Sequence, residues 1–220
     1  MSIGVILLII IGVVIYFEAA QRVLDRLYLT DSMALFVIAL MIVGSFIEIT
    51  VSRTPLITLN LGGAVIPVLL ALYVLIRAGS AREWIRTIIA TVLTGGAIYA
   101  ISIVFRDFGH GRDIIDPMYL FAISGGVIAY ILGRSRRGSF IAGTLGFLSY
   151  NLINAWQVLS GRVISQVRIG GAGAFDSIVI SGFFALLLAE LVGESRERLQ
   201  GGPARGDNLP GRKEGDKNEE

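Results

Sequence analysis

Apolar stretches of about 20 residues recur along the chain at short intervals, and no other feature of the sequence constrains the fold as strongly. The hydrocarbon core of a bilayer offers no water to a bare backbone, so a run of that length reads as a helix that satisfies its own polar groups. About seven can be drawn: Ile3 to Phe17, Ser32 to Thr50, Leu56 to Ile76, Trp84 to Phe105, Pro117 to Gly133, Ser139 to Leu159, and Phe175 to Val192. The first and fifth are short, which leaves open about six spans with one interfacial or re-entrant segment. The expected fold is therefore all-α, a polytopic transmembrane helix bundle.

Composition agrees. Hydrophobic residues make up 54% of the chain and charged ones 16%, with a mean hydropathy of +0.74, which excludes a water-soluble globular domain. With no cysteine, a disulfide framework, thiolate catalysis and cysteine-ligated zinc or iron–sulfur sites are excluded too. The formal charge is +2, but the arginines lie between apolar runs and form no basic stripe, so no nucleic-acid partner is expected. Topology accounts for them better. With the N-terminus outside, Arg22, Arg26, Arg77, Arg82, Arg86, Arg134, Arg136 and Arg137 fall on the cytoplasmic side, against Arg53, Arg106, Arg112, Arg162 and Arg168 outside. The first span lacks a preceding basic region and reads as an uncleaved anchor. Residues 1–193 form the transmembrane domain. From Glu194 the sequence turns to glycine, proline and mixed charge, so residues 194–220 are expected to be a disordered, charged cytoplasmic tail.

Three places interrupt the apolar runs at a cost in free energy. Asn60, Leu61, Gly62, Gly63 and Ala64 precede Pro67, which cannot donate to the Gly63 carbonyl, so a kink or short unwound stretch is expected. Discontinuous helices of this kind surround ion or substrate sites in transporters. An ordinary proline kink, with Asn60 bonded to a neighbouring helix, fits equally. Gly170, Gly171, Ala172, Gly173, Ala174 and Phe175 lead into Asp176 at the head of the last run. A carboxylate at the bilayer centre costs about 3 kcal/mol and calls for a partner or a helix N-terminus. Asp116 stands before Pro117, the pattern of a helix start. On the seven-span topology Asn60, Asp116 and Asp176 share the outer side.

Asn151, Asn154 and Gln157 repeat every three residues beside Tyr150 and occupy one helix face directed into the bundle. Glu48 and Glu190 lie near span ends, where they snorkel or meet an arginine. Gly95, Gly96, Gly125, Gly126, Gly143 and Gly146 read as close-packing points between helices. His110 is the one histidine and has no companion ligands, so neither a metal nor a cofactor is expected. Leu61-Gly62-Gly63-Ala64 recurs as Ile169-Gly170-Gly171-Ala172, the kind of correspondence found in internally duplicated transporters.

The combination of Asn60-Leu61-Gly62-Gly63-Ala64-Val65-Ile66-Pro67, Asp116-Pro117 and Gly170-Gly171-Ala172-Gly173-Ala174-Phe175-Asp176 resembles an uncharacterised family of bacterial and archaeal multi-pass membrane proteins, a domain of unknown function. That resemblance implies a prokaryotic cell (inner) membrane location. A second resemblance is to intramembrane aspartyl proteases of the presenilin and signal peptide peptidase type. Gly173 and Asp176 match the outer positions of their Gly-x-Gly-Asp motif, while Phe175 replaces its second glycine, Ile115 stands where a tyrosine precedes the other aspartate, and Pro-Ala-Leu is absent. That resemblance implies Asp116 and Asp176 as a catalytic pair.

The leading functional expectation is small-solute or ion handling, coupled to protons in one version, with the bilayer and a small solute or ion as partners. Asp176 would be the principal charge, Asp116 a second carboxylate, and Asn60, Asn151 and Asn154 neutral ligands. Gly62, Gly63, Pro67, Gly170, Gly171 and Gly173 would shape the backbone around them. The protease and a noncatalytic membrane scaffold are the alternatives.

Overall fold

A computed structural model describes residue 27 and residues 29–77, 79–108 and 117–199. Helix starts coincide with side chains suited to cap them. Thr30 accepts the Met33 N–H and opens α1 (Asp31–Gly44), Ser80 accepts the Glu83 N–H and opens α3 (Ala81–Phe108), and Ser135 accepts the Gly138 N–H and opens α5 (Arg136–Leu159). Pro67 lies in the first turn of α2 (Ile66–Ile76), where its missing N–H costs nothing. The remaining helices are α4 (Pro117–Gly133) and α6 (Ser177–Leu199).

Between α1 and α2 the chain forms a hairpin of β1 (Glu48–Arg53) and β2 (Leu56–Asn60), turned at Thr54-Pro55 through a cis peptide bond. A third strand, β3 (Val167–Ile169), joins β2 in parallel, with Ile57, Thr58 and Leu59 opposite Val167, Arg168 and Ile169. The fold is mostly helical, but the all-α expectation is corrected by this sheet. The run from Ser32 to Thr50 leaves helix at Gly44 and ends in β1; the run from Leu56 to Ile76 begins as β2, passes through a π-helical turn (Leu61–Val65) and becomes α2 only at Ile66. The physical reason is alternation. Ile49, Val51, Ile57 and Leu59 interleave with Thr50, Ser52 and Thr58, and an apolar content shared by helix and strand hides that period of two. The unwound stretch expected at Gly62 and Gly63 is present as the π turn.

Later runs fare differently. Residues Pro117–Gly133 are helical from end to end, and the runs beginning at Trp84 and Ser139 lie inside α3 and α5. α6 continues to Leu199, past the change of composition at Glu194. Ile3 to Phe17 lies outside the described residues. Among the described residues, one helix, over Ala81–Val104, is long and apolar enough to cross a membrane; Ser32–Gly44, Leu61–Ile76, Tyr119–Gly133 and Ser177–Gly193 are shorter apolar helices.

α5 is the hub, packed against α2, α3, α4 and α6. Small residues let these helices approach. Ala90, Ala129, Ala142 and Ala185, one from each of α3 to α6, form a buried layer. A Cβ placed on Gly95 would lie 2.9 Å from the Gly146 carbonyl oxygen, one on Gly125 2.8 Å from Ile98 Cδ1, and one on Gly143 2.7 Å from the Ser181 carbonyl oxygen. At these points only a glycine leaves room for the neighbouring helix. The outer surfaces of α1, α3 and α4 carry apolar side chains as well: Phe36, Val92 and Ile131 are 63%, 66% and 59% exposed.

Candidate functional site

Two glycine turns organise the end of the bundle that carries the sheet. Leaving β2, the chain enters Leu61-Gly62-Gly63-Ala64; leaving β3, it enters Gly170-Gly171-Ala172-Gly173. The two turns lie directly on one another. A Cβ on Gly63 would stand 2.3 Å from the Gly170 carbonyl oxygen and 2.6 Å from that of Gly173, both immovable backbone. Gly170 and Gly173 themselves adopt positive φ, +74° and +62°, a region that favours glycine. The strand register places Leu59, not Leu61, opposite Ile169, so the recurring Leu/Ile-Gly-Gly-Ala segments meet two residues out of step with the sheet.

Ser45, at the end of α1, ties the two turns together. Its hydroxyl donates to the Met41 carbonyl at 2.6 Å and accepts the Ala174 N–H at 2.9 Å, while its own carbonyl accepts from Asn60 Nδ2 at 2.8 Å. Asn60 also accepts the Gly63 N–H through Oδ1 at 2.9 Å. This side chain is 4% exposed, and both ends of its amide are engaged in capping and cross-linking.

A polar cleft of about 470 Å³ opens beside this stack. Tyr150, Asn151, Asn154 and Gln157 line it from α5, Arg168 from β3, and Asp176 from the residue that precedes α6. Helical spacing explains the first set, since residues three and four apart share a face. Two of them are fixed in place: Gln157 Nε2 donates to the Tyr99 hydroxyl at 2.7 Å, and the Tyr150 ring meets Phe147 edge-on at 5.5 Å. Asp176 is 5% exposed. Its Oδ1 accepts the Ile178 N–H at 3.0 Å and its Oδ2 the Ala172 N–H at 3.3 Å. Each carboxylate oxygen can accept more than one hydrogen bond. Burial opposes the charged form, whereas two N–H donors at a helix start favour it.

Arg168 is held by the sheet. Its guanidinium makes a forked pair with Glu48, Nε to Oε1 at 3.1 Å and Nη2 to Oε2 at 2.9 Å, and Thr58 donates to Glu48 Oε1 at 2.5 Å. Glu48, Thr58 and Arg168 thus run across all three strands. The hydrogen bond from Arg168, with that from Thr58, holds the Glu48 carboxyl below its ordinary value, and Glu48 raises the arginine in return. At the opposite end of the bundle Arg136 pairs with Glu190 at 2.5 Å. Both glutamates meet arginines, one of the two arrangements considered for residues at span ends.

Asp176, Asn151 and Asn154 therefore line one cleft, and Asn60 stands outside that lining, inside the glycine stack. Asp116 and His110 lie outside the described residues. Among the described residues no three His, Cys, Asp or Glu side chains gather as a metal site. Ser45, Thr58 and the Glu48–Arg168 bridge were not identified from sequence. The available signal was the pair of alternating runs flanking Thr54-Pro55.

A family model described as a protein of unknown function, DUF1614, matches residues 6–188. The chain belongs to the DUF1614 family. No curated protein and no solved structure matches it. The DUF1614 match takes in both glycine turns, the polar face of α5 and Asp176, and it ends within α6.

Proposed function

We propose that this DUF1614 protein is a multi-pass protein of the cell membrane that handles a small polar solute or ion through the cleft at Asp176. The observation that carries the reading is the meeting of Asp176, Arg168 and the α5 amides of Asn151 and Asn154, drawn from three separate elements, in one cleft of about 470 Å³. That size suits a small ligand held by a few convergent polar groups. An acidic side chain among amides, inside a bundle that exposes Phe36, Val92 and Ile131, is a costly arrangement that membrane proteins keep for function.

Membrane insertion of the other helices is supported by their apolar surfaces and by the distribution of arginine. Thr87 of α3 lies against Gly138 of α5, and Arg136 against Glu190 of α6, so Arg82, Arg86, Arg134, Arg136 and Arg137 share one end, opposite the sheet with Arg53 and Arg168. The positive-inside rule makes the first end cytoplasmic and the cleft external. The ligand set is Asp176, Asn151 and Asn154; Asn60 supports the glycine stack, and Asp116 lies outside the described residues.

The test is flux into proteoliposomes holding the purified full chain and an internal pH dye, challenged with gradients of sodium, potassium, ammonium, amino acids and polyols. Flux that is lost in Asp176→Asn while the variant remains folded supports the reading. Full flux in that variant removes it. The aspartyl protease reading pairs Asp176 with Asp116, which lies outside the described residues; it predicts that Asp176→Ala abolishes cleavage of a helical reporter.

A further inference from the structure

The cytoplasmic end assigned above carries a second concavity. A groove of about 500 Å³ runs along α3, lined by Arg82, Ile85, Arg86, Ile89, Ala90 and Leu93, with Leu132 of α4 closing one side. Its chemistry is divided lengthwise. Arg82 and Arg86, four residues apart, stand side by side at the mouth, exposed and in no ion pair among the described residues. Below them Ile85, Ile89 and Leu93 form a stripe, 57%, 53% and 51% exposed, over a floor made by buried Ala90. From Arg82 to Leu93 the groove covers about 16 Å of helix, half of the roughly 30 Å hydrocarbon thickness.

We propose that this groove is a binding site for one anionic glycerophospholipid, its phosphate on the Arg82 and Arg86 guanidinium groups and an acyl chain along Ile85, Ile89 and Leu93. The inference rests on the membrane reading given above, and not on the solute cleft. Two adjacent unpaired guanidinium groups call for an anion, and guanidinium forks match phosphate oxygens. An apolar channel one leaflet long, leading away from that anion, calls for a hydrocarbon tail attached to it. Basic pockets between helices on the cytoplasmic side are the recurring form of such sites. A purely apolar helix is a poorer occupant, because it brings no anion to the arginines.

The experiment is native mass spectrometry of the full chain in detergent, titrated with phosphatidylglycerol or phosphatidylcholine. The expected result is one retained phosphatidylglycerol, favoured over phosphatidylcholine about 25-fold, since each of the two arginines near an anionic headgroup contributes about a fivefold factor. Arg82→Gln/Arg86→Gln abolishes the preference, Arg162→Gln at the other end keeps it, and Leu93→Trp, which fills the groove without altering charge, lowers retention. Equal retention of both lipids, a preference that survives in Arg82→Gln/Arg86→Gln, or unchanged retention in Leu93→Trp overturns the proposal. Displacement by millimolar inorganic phosphate as effectively as by lipid also overturns it, because the site would then hold phosphate without a tail. Asp176→Asn retains the lipid, so loss of solute flux and loss of lipid selectivity are separate results.

Discussion

The hydroxyl of Ser45 accepts the backbone N–H of Ala174 at 2.9 Å, joining positions 129 residues apart at the point where the two glycine turns meet. Ser45→Ala removes that bond together with the one to Met41. The expected loss is about 1 to 2 kcal/mol, read as a lower unfolding temperature in detergent. Asp176→Asn, which leaves Ser45 untouched, is expected to show a smaller change.

Glycine substitutions at two positions should part sharply. Gly63→Ala drives a methyl group to within 2.3 Å of the Gly170 carbonyl oxygen and is expected to cost about 3 kcal/mol or more, or to prevent folding. Gly96→Ala meets nothing within 4 Å and is expected to leave stability unchanged or slightly improved. Monodispersity and thermal unfolding of the two variants side by side provide the check.

A third expectation concerns the seam between α5 and α6. A Cβ on Gly182 would lie 2.1 Å from Thr144 Oγ1, a side-chain atom and not backbone. Gly182→Ala should therefore destabilise by about 1 to 3 kcal/mol, and adding Thr144→Ala should recover part of that loss. Additive losses in the double variant would show that the two positions do not meet.

Asp176 has a structural duty separable from any ligand. Asp176→Asn keeps an oxygen for the Ile178 N–H, whereas Asp176→Ala keeps none, and caps of this kind are worth about 1 kcal/mol. Thermal unfolding should rank wild type and Asn close together with Ala below. A functional loss in Asn at near-native stability then reports on the charge itself.

The Glu48–Arg168 pair gives a pH dependence of defined sign. Glu48 titrates below its ordinary value of 4.5 in the folded protein, so its contribution is present above about pH 4.5 and disappears as pH falls through the depressed value. The gap in unfolding temperature between wild type and Glu48→Gln should be open at pH 7 and close toward pH 3. A gap that widens with acid would contradict the assignment.

The sequence made helices legible where the apolar run was uninterrupted, as from Trp84 to Phe105 and from Pro117 to Gly133. It made the polar face of α5 legible through the spacing of Asn151, Asn154 and Gln157. The sheet escaped because Ile49, Val51, Ile57 and Leu59 raise the apolar content of a span as well as of a strand, and because β2 pairs with a three-residue strand more than 100 positions away. No local pattern announces a partner at that distance. Asn60 and the glycines drew notice for their cost, but only the register and the contact of Gly63 with Gly170 explain why they are needed.

The parallel pairing of β2 with β3 also sets an order of assembly. During synthesis the hairpin and α2 emerge long before Val167, so Ser45 and Gly63 must wait for their late neighbours through the making of three further helices. Only when the ribosome has delivered Ala174 can the early and late turns lock, so the glycine stack closes just as the making of the final helix begins.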